Sequence, residues 1–240
     1  MNLPLQDKVA VVTGGSGAIG SAIVAALQQQ GARAVSLDVA QAPSGGLYQA
    51  CDVGDDNSVA SALAAVQRDY GRLDLVVHAA GLSREGVLWK LAVEDWDAVQ
   101  RVNLRGSFLL LRHAVPLMRA GGGGGRIVLI GSINGSRGKF GTAAYSASKA
   151  GLIALAKTAA REVARFGILV NVVEPGWVLT PLTKSMPQDI QKAALAESLL
   201  GSFVEPADVA AAVAFLCGPG ARQITGQILR VDGGQSLGSA

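Results

Sequence analysis

Short apolar runs rich in branched residues alternate with longer amphipathic segments along the whole chain. Runs of this kind, bounded by glycine or polar residues, are typical of buried strands. The strands predicted in this way cover Lys8–Thr13, Ala32–Asp38, Leu73–Ala79, Arg126–Gly131, Ile168–Val173 and Gln227–Val231.

Between these strands the apolar residues recur with a helical period. The predicted helices cover Ser21–Gln30, Asp55–Tyr70, Glu94–Met118, Ala144–Phe166 and Ala207–Cys217. Strands that alternate with helices form a parallel sheet with helices on both faces. Because no repeat or linker divides the chain, we predict an α/β fold, a Rossmann-type doubly wound parallel sheet that forms one domain over residues 1–240.

One connection is longer than a simple link between a strand and a helix requires. Leu179–Phe203 carries Pro181, Pro187 and Gly201 between the last two predicted strands. Long connections in compact domains often cover binding sites. We predict a mobile substrate lid over residues 179–203, and an amphipathic helix packed on the body is an equal alternative.

Composition and charge narrow the function classes. Half of the 240 residues are hydrophobic and 16% are charged, which excludes a disordered chain. The net charge is +3 and the basic residues are scattered, so no nucleic-acid partner is predicted.

No apolar run reaches about 18 residues and no signal peptide begins the chain, so we expect a cytoplasmic protein without a membrane partner. Cys51 and Cys217 lack a zinc-ligand pattern, and no metal site is predicted.

A glycine-rich segment joins the first predicted strand to the first helix. Glycines there let the backbone approach a pyrophosphate, and the helix N–H groups supply positive partial charge. A glycine string alone is a weak signal, but its place between a strand and a helix favours a dinucleotide site. The candidate binding residues are Gly14, Ser16, Gly17, Ala18, Ile19 and Gly20.

Asp38 ends the second predicted strand. A carboxylate there can accept hydrogen bonds from the adenosine ribose and repel a 2′-phosphate. No Lys or Arg occurs at Gly15–Ala18 or directly after Asp38 to bind such a phosphate. The residues therefore favour NAD(H), with NADP(H) as the alternative.

Tyr145 and Lys149 are four residues apart on one predicted helix, so they share a face. An ammonium near a phenol is expected to lower the tyrosine pKa and make Tyr145 a general acid or base. Ser132 follows the strand Arg126–Gly131 at the edge where ligands bind in open parallel sheets. Its hydroxyl is predicted to hold a substrate oxygen beside Tyr145.

Together these motifs resemble the short-chain dehydrogenase/reductase family over essentially the whole chain. Beyond the glycine segment and Ser132, Tyr145 and Lys149, the resemblance rests on an acidic segment, an asparagine, a segment after the third predicted strand and a Pro-Gly segment. These matches are Asp52, Val53, Asn103, Ala80, Gly81, Pro175, Gly176, Val178 and Thr180.

The resemblance implies a role for each matched group. Tyr145 exchanges the proton, and Lys149 lowers its pKa and binds the nicotinamide ribose. Ser132 orients the substrate, and Asn103 helps to hold a water that relays protons. The remaining matched residues, including Val178 and Thr180, are implied to bind the cofactor.

Two positions depart from the family pattern. Ala18 stands where the family has its middle glycine, and His78 replaces the first asparagine before Ala79-Ala80-Gly81. An imidazole has donor and acceptor nitrogens, so His78 is expected to replace the asparagine's hydrogen bonds.

The reaction implied is hydride transfer between nicotinamide and a carbonyl or secondary alcohol. Residues 82–96 resemble the 3-oxoacyl-thioester reductase branch, which suggests an acyl thioester substrate. That branch mostly uses NADPH, which Asp38 argues against, and Phe166 stands where a basic carrier-docking residue is expected. An NAD-linked alcohol, sugar or steroid dehydrogenase stays open as an alternative function, as does a non-catalytic NAD-binding regulator.

Family members commonly form homotetramers or homodimers, and we expect the same here.

Overall fold

The chain forms one seven-stranded parallel sheet in the order β3-β2-β1-β4-β5-β6-β7. This computed structural model describes residues 3–41, 46–122 and 124–238. The strands are β1 Val9–Thr13, β2 Arg33–Asp38, β3 Tyr48–Ala50, β4 Leu75–His78, β5 Gly125–Ile130, β6 Ile168–Pro175 and β7 Ile228–Val231.

Helices cover both faces of the sheet. They are α1 Ala18–Gln29, α2 Asp56–Tyr70, α3 Val93–Gln100, α4 Gly106–Ala120, α5 Ile133–Arg137, α6 Ala143–Val163, α7 Pro181–Lys184, α8 Gln188–Ala196 and α9 Pro206–Cys217. The predicted α/β, Rossmann-type single-domain fold is thus confirmed.

Side-chain alternation along each strand divides the core into two layers. Val9 and Val11 of β1 pack in the layer that α2, α4 and α6 complete, whereas Ala10 and Val12 pack in the layer with α1 and α9. Because both faces of the central strands are buried, β1 and β4 are apolar almost throughout, which is the pattern from which they were predicted.

The prediction of a single helix over Glu94–Met118 is wrong in detail. It is divided into α3 and α4 by a π-helical turn at Arg101–Arg105, and Pro116 lies inside α4 without ending it. A π turn inserts one extra residue per turn and is frequent at functional sites. It places Asn103 inward, where its side chain is fully buried.

The connection 179–203 is not a single amphipathic helix. Two short helices, α7 and α8, follow β6, and Thr180 caps α7 by accepting a hydrogen bond from Thr183 N. Val178 pairs with Val204 in an isolated bridge, so the two ends of the connection lie side by side.

Strand order reverses between β1 and β4, because β2 and β3 lie to one side of β1 and β4 to β7 to the other. Open α/β sheets bind ligands at the carboxyl ends of the strands beside such a reversal. The site should therefore lie where the segments after β1, β4, β5 and β6 converge.

Candidate active site

A cavity of about 530 Å³ opens at the carboxyl ends of these strands. Its wall includes Gly14 after β1, Gly81 after β4, Ser132 after β5 and Gly176 after β6. Side chains from α6 complete it, among them Tyr145 and Lys149. The structure thus brings the predicted glycine segment and the predicted reacting groups into one space.

Ser132 lies at the N-terminus of α5 and is almost fully buried. Its Oγ accepts a hydrogen bond from Asn134 N at 3.2 Å. Burial raises the pKa of the Tyr145 hydroxyl, and a hydrogen bond with Ser132 acts in the opposite direction. A tyrosine in this state carries its proton at neutral pH and can donate it.

Lys149 has a hydrogen-bond partner other than the Tyr145 hydroxyl, and its expected lowering of the Tyr145 pKa stays a prediction. Lys149 Nζ donates to Ile130 O at 2.7 Å and lies 5.7 Å from the centroid of the Tyr145 ring. The ammonium is therefore directed at a strand carbonyl. Burial lowers the pKa of Lys149 to about 8, because the charged form is poorly solvated there.

Asn103 lies behind this wall and contacts the segment after β4. Its Oδ1 accepts from Leu82 N at 2.7 Å, and its Nδ2 donates to Leu82 O and to Ser148 Oγ, both at 2.9 Å. These three hydrogen bonds all join Asn103 to other protein atoms. Asn103 therefore fixes the loop beside Lys149 against α6.

Comparisons with known proteins bear on what this arrangement is. A family model described as enoyl-(acyl carrier protein) reductase, of the short-chain dehydrogenase type, matches residues 14–236. The chain belongs to the short-chain dehydrogenase/reductase family. It is thus an NAD(P)-dependent oxidoreductase that acts on a keto or hydroxyl group, as the sequence predicted.

Relatives cover nearly the full chain. The 3-oxoacyl-(acyl-carrier-protein) reductase FabG of Vibrio cholerae is 38% identical over 97% of this chain and 99% of its own. The acetoacetyl-CoA reductase of Synechocystis is 40% identical over 97% and 98%. The (3R)-3-hydroxyacyl-CoA dehydrogenase of Mus musculus is 38% identical over 97% of each chain. The crystal structure of gox2181 superposes with a TM-score of 0.94 at 32% identity, over 98% of both chains.

A nicotinamide dinucleotide fits the glycine segment of this family member. Gly17 precedes α1, and no side chain caps the N–H groups of the first turn. A Cβ on Gly20 would lie 2.0 Å from Gly14 O, so the close turn requires glycine there. Gly14 has φ +64°, which also favours glycine. Amides grouped at a helix start in this way suit a pyrophosphate.

Most of the predicted cofactor residues lie on the cavity wall. They are Gly14, Gly17, Ala18, Ile19, Gly20, Gly81, Tyr145, Lys149, Pro175, Gly176, Val178 and Thr180. Ser16, Asp38, Asp52, Val53 and Ala80 are not part of that wall.

The two carboxylates that were predicted to bind the cofactor, Asp38 and Asp52, have different hydrogen-bond partners. Asp38 accepts backbone hydrogen bonds from Ser16 N at 3.0 Å and Val39 N at 2.8 Å, so its carboxylate is fixed beside the glycine turn. Asp52 forms a salt bridge with Arg101 and accepts a hydrogen bond from Gly54 N at 2.9 Å. Asp52 thereby ties the loop after β3 to the π turn.

His78 is fully buried at the end of β4. Its Nδ1 lies 2.8 Å from Thr13 Oγ1, which also accepts from Ala80 N at 3.3 Å. Burial, with the Lys149 charge adding to it, lowers the pKa of His78 to about 3. A neutral His78 therefore joins β4 to β1 and positions the segment that leads to Gly81.

Sequence reasoning missed a second group of residues at this cavity. The Lys139 ammonium lies 3.8 Å from the centroid of the Trp177 ring, and both residues line the cavity. Arg137 forms a 2.7 Å salt bridge with Glu197 at the end of α8. These partners lie far apart in sequence, and no local pattern joins them.

None of the helices in the described ranges combines the length and the apolar composition that a membrane span requires. Within the same ranges, His, Cys, Asp and Glu side chains do not gather in threes as metal ligands.

Proposed function

We propose that this enzyme reduces 3-oxoacyl thioesters to 3-hydroxyacyl thioesters with NADH. The observation that carries the proposal is the placement of Ser132, Tyr145 and Lys149 on the wall of the cavity that the glycine turn enters. The oxoacyl and hydroxyacyl thioester names of three full-length relatives support the substrate class.

Each catalytic residue has one task in this proposal. The nicotinamide, when bound, supplies the hydride to the carbonyl carbon. Tyr145 donates its proton to the carbonyl oxygen, so that the product is an alcohol. Ser132 Oγ hydrogen-bonds the same oxygen and orients it. Lys149 binds the ribose and returns a proton towards Tyr145, and Asn103 fixes the loop that borders this path.

The cofactor preference is argued from Asp38. Two backbone N–H groups fix its carboxylate beside the glycine turn, where the adenosine ribose of a bound dinucleotide would lie. A ribose diol can donate to this carboxylate, whereas a 2′-phosphate would be repelled. Among the described residues, no Lys or Arg forms a salt bridge with Asp38 to offset that repulsion. NADH is therefore preferred over NADPH.

The other predicted cofactor contacts are part of the same proposal. The amides at Gly17–Gly20 hold the pyrophosphate, and Val178 and Thr180 hold the carboxamide. Residues 179–203 form the lid, whose contribution to the wall includes Pro181, Thr183 and Met186. Closure of such a segment excludes water from hydride transfer.

The test is the initial rate of nicotinamide oxidation with acetoacetyl-CoA, with NADH and NADPH side by side. We expect turnover with NADH. With NADPH we expect turnover to be absent or slow. A preference for NADPH contradicts the Asp38 argument. Protein that binds NADH but does not reduce acetoacetyl-CoA contradicts the thioester proposal and leads to secondary alcohols, sugars and steroids.

We also propose a homodimer or homotetramer. A surface hollow between the π turn, α4 and α6 is lined by Leu104, Phe108 and Leu155, and Phe108 is 47% exposed. A second copy would bury this apolar surface. Phe108→Glu is expected to lower the oligomeric state in sedimentation velocity, and an unchanged oligomer would place the contact elsewhere.

A further inference from the structure

The cavity wall carries a cation that the reaction itself does not use. Lys139 and Trp177 line the same cavity as Ser132 and Tyr145. The Lys139 ammonium lies 3.8 Å from the centre of the Trp177 ring, which is a cation–π contact. The aromatic face therefore holds the charge at a defined place on the wall.

Charge pairing distinguishes Lys139 from its neighbour. Arg137 is neutralised by Glu197 at 2.7 Å, whereas Lys139 forms no salt bridge with any described residue. Burial lowers the pKa of Lys139 and the Arg137 charge adds to this, whereas Glu197 and Glu85 act in the opposite direction without forming a salt bridge with Lys139. A partly desolvated ammonium without a carboxylate in contact is stabilised when an anion reaches it.

Both members of the pair are fixed relative to Tyr145. Lys139 O accepts hydrogen bonds from Thr142 N at 3.2 Å and from Thr142 Oγ1 at 2.9 Å, and Thr142 is the N-cap of the helix that carries Tyr145. Trp177 N donates to Gln235 Oε1 at 3.0 Å, and Trp177 O accepts from Val204 N at 2.9 Å. The cation is thus held at a set position from the proton donor.

We propose that Lys139 and Trp177 recognise an anionic group that the carbonyl substrate carries beyond its reacting carbon. The ammonium, held against the indole ring, donates hydrogen bonds to that group. This inference rests on the proposed reductase function. Two sources supply such an anion: the phosphates of a coenzyme A thioester and the carboxylate of a free oxo acid.

The experiment compares three probes with NADH. Acetoacetyl-CoA carries phosphates, acetoacetate carries a carboxylate, and S-acetoacetyl-N-acetylcysteamine presents the acetoacetyl thioester without charge. KM and kcat are measured for the wild type, Lys139→Met and the charge-retaining Lys139→Arg. Lys157→Met, an exposed lysine of α6, is the matched control for loss of one positive charge.

Lys139→Met is expected to raise KM for one charged probe about ten-fold, as loss of a charge-assisted hydrogen bond does. The same variant leaves KM for the uncharged thioester and kcat within about two-fold. Lys139→Arg restores binding, Lys157→Met changes nothing, and the affected probe identifies the source of the anion. An equal loss on all probes, or no loss on either charged probe, overturns the proposal.

Failure of the proposed reaction is separated by a binding measurement. If the wild type turns over none of the probes, calorimetric titration of NADH-loaded protein with coenzyme A and with acetoacetate still tests Lys139. Binding that weakens about ten-fold in Lys139→Met supports the anion site. Equal binding by the two proteins, or no binding to the wild type, overturns it.

Discussion

The two halves of the cavity are built from different material. On the side of β1 and β4 the wall is backbone: Gly14 and Gly20 turn tightly and leave helix N–H groups free. On the side of β5 and α6 the wall carries polar side chains, among which Ser132 and Lys149 are almost fully buried.

Because of this difference, the two halves of the cavity tolerate different substitutions. A backbone wall fails when a Cβ is added at Gly14 or Gly20, because the atoms that would have to move are backbone atoms of the turns after β1 and β4. A side-chain wall keeps its shape under conservative substitution but loses its chemistry, because burial sets which groups carry protons. Cofactor binding and proton transfer should therefore be separable by mutation.

The largest expected effect is on the side-chain half. Tyr145→Phe removes the proton donor, and kcat with acetoacetyl-CoA should fall about 1,000-fold, within the range for general acid catalysis. NADH affinity, measured by fluorescence titration, should change little because the glycine turn is intact. Tyr70→Phe on α2 is the control, and comparable turnover by Tyr145→Phe would remove this residue from the mechanism.

The backbone half is tested by two alanines. Gly20→Ala would place a Cβ 2.0 Å from Gly14 O, whereas Gly17→Ala would place one 3.3 Å from that atom. We expect Gly20→Ala to weaken NADH binding about 100-fold or to unfold the protein, because backbone strain costs of order 1–3 kcal/mol per residue and here the neighbour is fixed. Gly17→Ala should bind NADH with an affinity within roughly a few-fold of the wild type. Equal affinities in the two variants would contradict the close-turn argument.

Burial of Lys149 predicts a pH-dependent stability. The native lysine loses its proton near pH 8, while the unfolded lysine keeps it to about 10.4, so the unfolded chain binds more protons between these values. The free energy of unfolding should rise by about 2 kcal/mol from pH 8 to pH 10 relative to Lys149→Met.

Urea denaturation at each pH measures this difference. Lys157→Met on the same helix controls for loss of a lysine as such. Parallel curves for the wild type and Lys149→Met would show that burial does not shift this group.

The smallest effect concerns cofactor choice. Asp38→Ser removes the carboxylate and should narrow the preference for NADH over NADPH about ten-fold, since the repulsion acts in a partly exposed site. The ratio of kcat/KM for the two cofactors measures it, with Asp69→Ser on α2 as the charge control. An unchanged ratio would mean that Asp38 does not face the ribose.

The sequence predicts the locally determined parts of the structure better than the contacts between distant residues. The strands, the helices and the glycine turn are local patterns, and they appear near their predicted positions, although the helix predicted over Glu94–Met118 is divided in two. The edge strand Tyr48–Ala50 has three residues and is only partly buried, so no apolar run marks it. The π turn at Arg101–Arg105 continues a helical pattern, and nothing local distinguishes it from an α-helix.

Contacts between distant residues were beyond sequence reasoning. The Lys139–Trp177 contact and the Arg137–Glu197 pair depend on how the segment after β5 meets the segments after β6 and α8. The partner of the Lys149 ammonium could not be predicted for the same reason. Helical spacing places the two residues on one face, but only tertiary structure shows that Ile130 O takes the ammonium.

The most direct test of the account follows the transferred hydrogen itself. Excess enzyme is mixed with acetoacetyl-CoA and NADH that carries deuterium at the transferred position of the nicotinamide, and the product is analysed by mass spectrometry in one turnover. The account predicts 3-hydroxybutyryl-CoA with a single deuterium on the former carbonyl carbon, and none in Tyr145→Phe within that time. Unchanged acetoacetyl-CoA from wild-type enzyme saturated with the labelled cofactor would contradict it.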